Sequence, residues 1–381
     1  MRGQGGAGAT RVAHMSSGHA ADDSRILWKE CVSLAGAGFE VWLVVPHAGP
    51  LPAQWPANVA LAAVRRRRGR AGRLLVSPFA VTLAALRCRA AVYHFHDPEL
   101  IPFGLALRAL GRRVVYDVHE DLPRDIAFKP WIPRAARALA SHAAEGLEWV
   151  AGHLLSGVVA ATPVIARRFP SARTALVQNH ARLSEFTLPA PRTTPRPGHL
   201  AYVGAITAER CALEMLAALE RLPDGPKLVL AGDMRPAGLA PVLARQPAWS
   251  RVEYRGRQDR DGVRRILAGA RLGLALFHPL QSYIDSQPIK IFEYMAAGLP
   301  VVASNFPGFV ATVEANGCGL CVDGRDPAAI ASAIRWILNH PAEAEEMGRR
   351  GRALVARQFS WETEAQALLR LYGRIIGAAA D

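Results

Sequence analysis

The stretch "DSQPIKIFEYMAAGLPVVAS", Asp285 to Ser304, gathers two carboxylates, a lysine, two prolines and a glycine around a short apolar helix. The chain has only four lysines, so the one between Asp285 and Glu293 needs a reason. Ser286 or Asp285 precedes the helix, Pro288 suits its first turn, and Gly298 ends it before Pro300 opens a strand. Asp285 then lies on the entry loop. Lys290 and Glu293, three apart, share one helical face, while Ile289, Phe292 and Ala296 take the opposite, buried face. A helix N-terminus offers free N–H groups and partial positive charge, so a phosphate docks there and Lys290 adds a full charge at the same end. Glu293, one turn further in, repels that phosphate and accepts instead the hydroxyl protons of a ribose. The local alternative is an ordinary capped helix with one i,i+3 ion pair.

Other residues could serve the same ligand. "VGA", Val203 to Ala205, sets Gly204 directly after a strand, with no side chain to hold a pyrophosphate away, and Arg210 follows as a phosphate partner. His119 stands at the carboxyl end of the strand "RVVYDVH", where ligand-binding residues of parallel sheets gather. In "YHFHD", His94 and His96 alternate onto one face and could bind a metal with Asp97 and His119, but the remaining ligands are not evident. Asp97 is therefore expected to cap the next helix, with the imidazoles as polar lining. "CGLC", Cys318 and Cys321, lacks a second pair nearby to complete a zinc site.

The elements that must position these residues alternate between short apolar strands and amphipathic helices, the pattern of a parallel sheet covered on both faces. Strands are expected at "RVAHMS", "EVWLVV", "VALAAV", "AVYHF", "RVVYDVH" and "GVVAAT". A helix from about Arg25 to Ala37 follows the first, and a long amphipathic stretch runs from Pro133 to about Leu155. "LPAPRTTPRPGH" is rich in Pro and poor in apolar residues, so it reads as a linker. The alternation then restarts with "LAYVG", "KLVLAGD", "VEYRG" and "LGLALF", and a helix spans Pro327 to Asn339. Expected domains are 1–187, a linker 188–199, a second domain 200–358, and a final helix in 359–381 that crosses back to the first. Ligands of such sheets bind at the carboxyl ends of the strands, so the function is expected in a cleft between two domains.

A length of 381 residues favours two domains, and an apolar half is globular. The net charge of +14 and a pI near 10.3 imply attraction to phosphate, on a sugar nucleotide, an anionic bilayer or nucleic acid. "RRRRGRAGR", Arg65 to Arg73, is the densest run. Without an aromatic stacking surface or a zinc module, nucleic acid is not an expected partner. No window of some 18 apolar residues occurs and the N-terminus lacks the apolar core of a signal peptide, so a cytoplasmic location is expected. Five cysteines without regular spacing agree with a reducing compartment.

The pieces "DSRILWKECVSLAGAGFEV", "HFHDPELIPFGLALRALGRRVVYDVHEDLP", "AYVGAITAERCALEML" and "SQPIKIFEYMAAGLPVVASNFPG" together resemble glycosyltransferase family 4, retaining enzymes of the GT-B fold that use nucleotide sugars. The resemblance covers nearly the whole chain in order. It implies two Rossmann-like, doubly wound α/β domains facing across a cleft. It matches Glu293 to the second glutamate of the family's E-x7-E element, which holds the donor's ribose. Asp285, one methylene shorter, occupies the first glutamate's place near the transferred sugar. Arg210 stands where relatives carry a pyrophosphate-binding lysine, and His119 matches a histidine beside the transferred sugar. Ala205 replaces an arginine common after the glycine, and Lys290 is the expected substitute.

The catalytic set implied is thus His119, Asp285, Arg210 and Lys290. The donor-binding set is Gly204, Arg210, Asp285, Ser286, Lys290 and Glu293. No metal or other cofactor is expected. The implied partners are a nucleoside diphosphate sugar, UDP-linked, a glycan or lipid-linked acceptor in cell-surface polysaccharide or glycolipid assembly, and an anionic membrane. "KPWIPRAARAL", Lys129 to Leu139, would help peripheral docking on the inner membrane face. The competing readings are a soluble natural-product acceptor and a nucleotide-sugar 2-epimerase, which shares the fold and transfers nothing.

Overall fold

The computed structural model describes residues 9–51, 55–65, 72–128, 132–186, 198–222 and 225–377. The chain divides into two compact units, Met1–Asn179 with Trp361–Asp381, and His180–Ser360. Residues 187–197, most of the expected linker, lie outside the described residues, as do 66–71 of the arginine run and 129–131 of "KPWIPRAARAL".

Among the described residues, the first unit forms a seven-stranded sheet: β1 (Arg11–Met15), β2 (Glu40–Pro46), β3 (Val59–Val64), β4 (Val92–Phe95), β5 (Arg113–Val118), β6 (Gly157–Ala160) and β7 (Thr174–Leu176). Its order is β3-β2-β1-β4-β5-β6-β7, with every pairing parallel. The strands read as unbroken apolar runs because both faces are covered. Leu27, Leu34, Trp361 and Leu368 pack on one face, and Val81, Ile101, Leu107 and Ala151 on the other. The final helix, Trp361–Gly377, belongs to this unit, and Trp361 Nε1 donates to Ser33 Oγ at 2.8 Å.

The single helix expected from Arg25 is instead a π-helix, Ile26–Cys31, running into an α-helix, Val32–Gly36. The wider turn has a reason. Arg25 and Glu30, five apart, would diverge on a 3.6-residue helix, whereas an i→i+5 repeat brings them to one side. Glu30 N donates to Arg25 O at 3.0 Å, and both side chains are buried.

The second unit forms a six-stranded parallel sheet among its described residues: β8 (His199–Val203), β9 (Leu228–Ala231), β10 (Val252–Gly256), β11 (Ala270–Ala275), β12 (Val301–Ser304) and β13 (Gly319–Val322). Its order is β10-β9-β8-β11-β12-β13. Strand order therefore reverses between β8 and β11, as it does between β1 and β4, which makes these the places where open sheets receive ligands.

Two features of this unit differ from expectation. The helix Ile289–Ala296 has no solvated face, since every residue from Lys290 to Ala296 is buried. An eighteen-residue helix, Pro341–Gln358, escaped the sequence reading because glycines interrupt its apolar pattern. The structure explains the glycines: a Cβ at Gly348 would stand 2.2 Å from Gly298 O, so the helix lies directly against the turn that ends Ile289–Ala296. Cys318 and Cys321 flank and enter β13 as free thiols. Among the described residues no helix is long and apolar enough to cross a membrane.

Candidate functional site

At the β8–β11 reversal the structure brings Gly204, Arg210 and Lys290 together. Gly204 follows β8 with φ 125°, a region that favours glycine. A Cβ there would lie 3.2 Å from Lys290 Nζ and 3.7 Å from Arg210 Nη1. The neighbouring Gly232 is equally constrained, because a Cβ on it would meet Gly204 O at 2.0 Å. Lys290 reaches this point from the helix Ile289–Ala296, which is fixed to β8 by Tyr294, whose hydroxyl accepts from Val203 N at 2.9 Å. Gly273 on β11 makes room for the Tyr294 ring.

The lysine is in an unusual state. It is 5% exposed and its Nζ has no hydrogen-bond partner. Tyr202 offers its ring face with the centroid 3.7 Å from Nζ, and Phe277 lies at 5.4 Å. Burial first, and the Arg210 guanidinium second, pull its pKa well below that of an ordinary lysine. Arg210 is itself flanked by the rings of Phe277 and Tyr283, at 5.9 and 5.8 Å. Two basic side chains thus meet beside Gly204 among the rings of Tyr202, Phe277 and Tyr283, an arrangement that favours a multiply charged anion.

The i,i+3 ion pair between Lys290 and Glu293 is absent. Glu293 Oε1 instead accepts from Arg260 Nη1 at 2.7 Å, and Arg260 Nε also donates to Glu185 Oε2 at 3.0 Å. Nothing local in the sequence marked Arg260 as Glu293's partner, since only tertiary packing joins residues 33 apart. Asp285 is exposed and accepts from Gln281 Nε2 at 2.8 Å. Ser286 Oγ donates to Tyr283 O at 2.8 Å, so neither residue caps the helix, whose N-cap position is Pro288.

In the first unit, His119 follows β5 and is partly exposed, with Nδ1 3.6 Å from Asp117 Oδ2, too long for a hydrogen bond. Asp117 is fully buried and held by Arg25 Nε at 2.9 Å, Arg25 Nη2 at 2.8 Å and His96 Nδ1 at 2.9 Å. Burial pushes its carboxyl up, but the Arg25 charge and these hydrogen bonds outweigh it and hold the pKa well below the usual range.

Asp97 does not cap the following helix. Its Oδ2 accepts from Ser16 Oγ and Ser17 N, both at 2.7 Å, and its Oδ1 lies 3.1 Å from His19 Nδ1. The loop after β1 claims the carboxylate because its own N–H groups would otherwise go unpaired. Burial lowers the His19 pKa, but Asp97 outweighs it and raises the value to about 9, so His19 is cationic at neutral pH. His19 meets His119 edge to face at 4.9 Å. The alternation of "YHFHD" foretold His94 and His96, whereas nothing local marked His19.

Three groups among the described residues offer metal-type ligands: His14, Glu30, His94 and His96; His96, Asp117 and His119; and Cys211, Glu214 and His278. In the second, Asp117 is already committed to Arg25 and His96, and in the third His278 Nε2 bonds Glu214 Oε1 at 2.7 Å.

Comparison with known proteins bears on both units. Residues 197–340 match the sequence model of the family described as "Glycosyl transferases group 1", so the second unit carries a domain of that family. The chain is 28% identical to a glycogen synthase of Mycobacterium tuberculosis over 201 residues, 52% of this chain and 47% of that one. It spans about half the length of the curated relatives it matches. The fold is similar to sucrose-phosphate synthase from Thermosynechococcus elongatus, with a TM-score of 0.74 at 20% identity over 97% of this chain and 100% of that one. It is also similar to Anabaena HepE, solved with UDP and glucose, with a TM-score of 0.70 at 14% identity over 96% and 99%. The two parallel-sheet units are thus those of the GT-B fold.

Proposed function

We propose that the protein transfers a sugar from a nucleoside diphosphate sugar to an acceptor hydroxyl, keeping the anomeric configuration. The observation that carries the donor half is Lys290, a buried ammonium without a hydrogen-bond partner beside Arg210 and the bare Gly204. Two adjacent cations, one desolvated, are unfavourable in the empty protein and favourable around a diphosphate. In the reaction the C1–oxygen bond to the diphosphate breaks and the acceptor oxygen bonds C1 on the same face. The acceptor proton passes to the leaving phosphate oxygen. Charge grows on that oxygen as the bond stretches, so Arg210 and Lys290 stabilise the transition state more than the ground state.

Ser286 joins the donor set at the entry of the helix, Glu293 takes the ribose hydroxyls with its carboxylate steadied by Arg260, and Asp285 lies toward the sugar. His119 is assigned to catalysis on the resemblance alone. No step in this scheme calls for a metal. UDP is the first nucleotide to test, in keeping with the HepE structure.

The experiment is incubation of the purified chain with UDP-, GDP- and TDP-sugars, with and without glycan, lipid-linked and soluble hydroxyl acceptors. Release of nucleoside diphosphate that depends on an acceptor is expected. Epimer formation from the donor alone would replace the transferase reading with an epimerase. For acceptor presentation we propose peripheral docking on an anionic membrane, supported by the net charge of +14. Co-sedimentation is expected to be stronger with vesicles containing phosphatidylglycerol than with pure phosphatidylcholine; equal binding refutes it.

A further inference from the structure

The interior of the first unit holds a polar cluster that the transferase reading leaves unused. His14 on β1, His94 on β4, His96 just beyond it and Glu30 on the π-helix are each 0–1% exposed, and their ligand-type atoms lie within 4.8 Å of one another. The parallel register sets His14 beside His94, and the π-turn lowers Glu30 onto both. His14 Nδ1 stands 3.0 Å from His96 Nε2 and 3.9 Å from Glu30 Oε2, and His94 Nε2 is 3.8 Å from the same oxygen.

Two of the three histidines also have a partner on their outward nitrogen. His96 Nδ1 lies 2.9 Å from Asp117 Oδ2, and His94 Nδ1 lies 2.8 Å from the Tyr372 hydroxyl. A carboxylate behind an imidazole accepts its N–H, fixes its tautomer and makes the inner nitrogen a better ligand, and a hydroxyl that accepts does the same, which is how metal-binding histidines are supported. On the inner side, His94 Nε2 and Glu30 Oε2 have no hydrogen-bond partner, and on the outer side neither does His14 Nε2. Buried polar atoms are seldom left so, and several in one place call for a ligand.

We propose that His14, His94, His96 and Glu30 bind a divalent transition-metal ion, with zinc the ion of choice, as a structural site beneath the helices covering this face. Imidazole and carboxylate are zinc ligands, and four of them close the coordination sphere. Zinc–nitrogen bonds of 2.0–2.1 Å imply ligand spacings of roughly 3.4 Å in a tetrahedron. Three of the six spacings, 3.0, 3.8 and 3.9 Å, lie on either side of that value, and all six are within 4.8 Å. His14 and His96 share a proton edge to edge without the ion; the ion displaces that proton, and one ring tilts to aim its lone pair. Burial and the neighbouring Asp117 push the Glu30 carboxyl up, so the ion displaces the Glu30 proton as well; two carboxylates then oppose the single charge of Arg25. The ion would tie β1 and β4 to the π-helix and, through Tyr372, to the final helix.

A site this buried fills as the unit folds. The chain is therefore produced without a polyhistidine tag in zinc-supplemented medium, and bound metal is read by mass spectrometry. About one zinc per chain is expected. His94→Ala and Glu30→Gln should cut the content at least tenfold, while His278→Ala, in the second unit, should not. Tyr372→Phe should weaken zinc about tenfold in competition with a chelator. Wild-type protein holding no more zinc than His94→Ala overturns the proposal. Should the variants fail to fold, X-ray absorption of the wild type decides: nitrogen and oxygen scatterers at about 2.0 Å with imidazole features support the site, and a sulfur-containing shell or no zinc refutes it. Donor binding by the second unit is a separate readout, so failure here leaves the transferase reading standing.

Discussion

Replacing Lys290 by Met removes the charge and keeps much of the volume, which separates electrostatics from packing. In the ligand-free protein the ammonium is buried and unpaired. Such burial costs several kcal/mol. The Tyr202 ring, 3.7 Å from Nζ, offsets about 2 kcal/mol of that. The remainder, about 1–3 kcal/mol, is what Met should recover, and in a unit of this size each kcal/mol moves Tm by about 2–4 °C. Lys290→Met should therefore melt about 2–12 °C higher than wild type without ligand. The gain should be largest at neutral and acidic pH and vanish above the pKa of an unfolded lysine, because a lowered folded pKa penalises the fold only where the unfolded chain is charged. With nucleotide the sign reverses. A hydrogen bond to a charged group is worth about 1.5–3 kcal/mol, so affinity for a nucleoside diphosphate should fall about 10- to 150-fold. Loss of a donor to the developing charge should slow transfer about 10²- to 10³-fold. Thermal melting with and without nucleotide, calorimetric titration and steady-state kinetics read the three effects. A lower Tm with undiminished nucleotide shift and turnover would make Lys290 a packing residue and refute the argument.

Glu293→Ala should abolish the donor-induced rise in Tm while leaving inorganic pyrophosphate binding largely intact; equal loss of both would place Glu293 in the fold rather than at the ribose. Because Lys290 in the free protein titrates well below an ordinary lysine, diphosphate binding above that pKa should take up a proton, and affinity should fall as pH rises. Calorimetry in buffers of different ionisation enthalpy measures the uptake, and none at any pH contradicts it. Asp117→Asn removes the carboxylate that accepts twice from buried Arg25 and leaves Glu30 Oε1 at 3.0 Å as its carboxylate partner, so about 3–5 kcal/mol should be lost and the first unit's melting transition should drop by about 6–20 °C. An unchanged transition in scanning calorimetry would show the network to be dispensable.

The order of strands and helices was legible because fully buried parallel strands are continuous apolar runs and the helices between them are amphipathic. The region around Lys290 was legible for a similar reason, since helix start, helix end and charge all lie within twenty residues. What sequence could not supply was partnership. Arg260 and Glu293 meet through tertiary packing, and no spacing rule joins them. Asp97 satisfied the local rules for a cap, yet the loop after β1 took it. Glu30 and Arg25 belong to a π-turn, and a 3.6-residue reading sends them to different faces. His14 sits in the middle of an apolar strand, and only the register of β1 with β4 reveals its neighbours.

The donor diphosphate is proposed to lie beside Gly204, between Lys290 and Arg210. A crystal structure of the protein with UDP, or with whichever nucleoside diphosphate raises Tm most, tests it directly. Phosphate oxygens are expected within hydrogen-bonding distance of Lys290 Nζ and Arg210, with the ribose at Glu293. A nucleotide bound with its diphosphate away from Lys290, and the ammonium still unpaired, would contradict it.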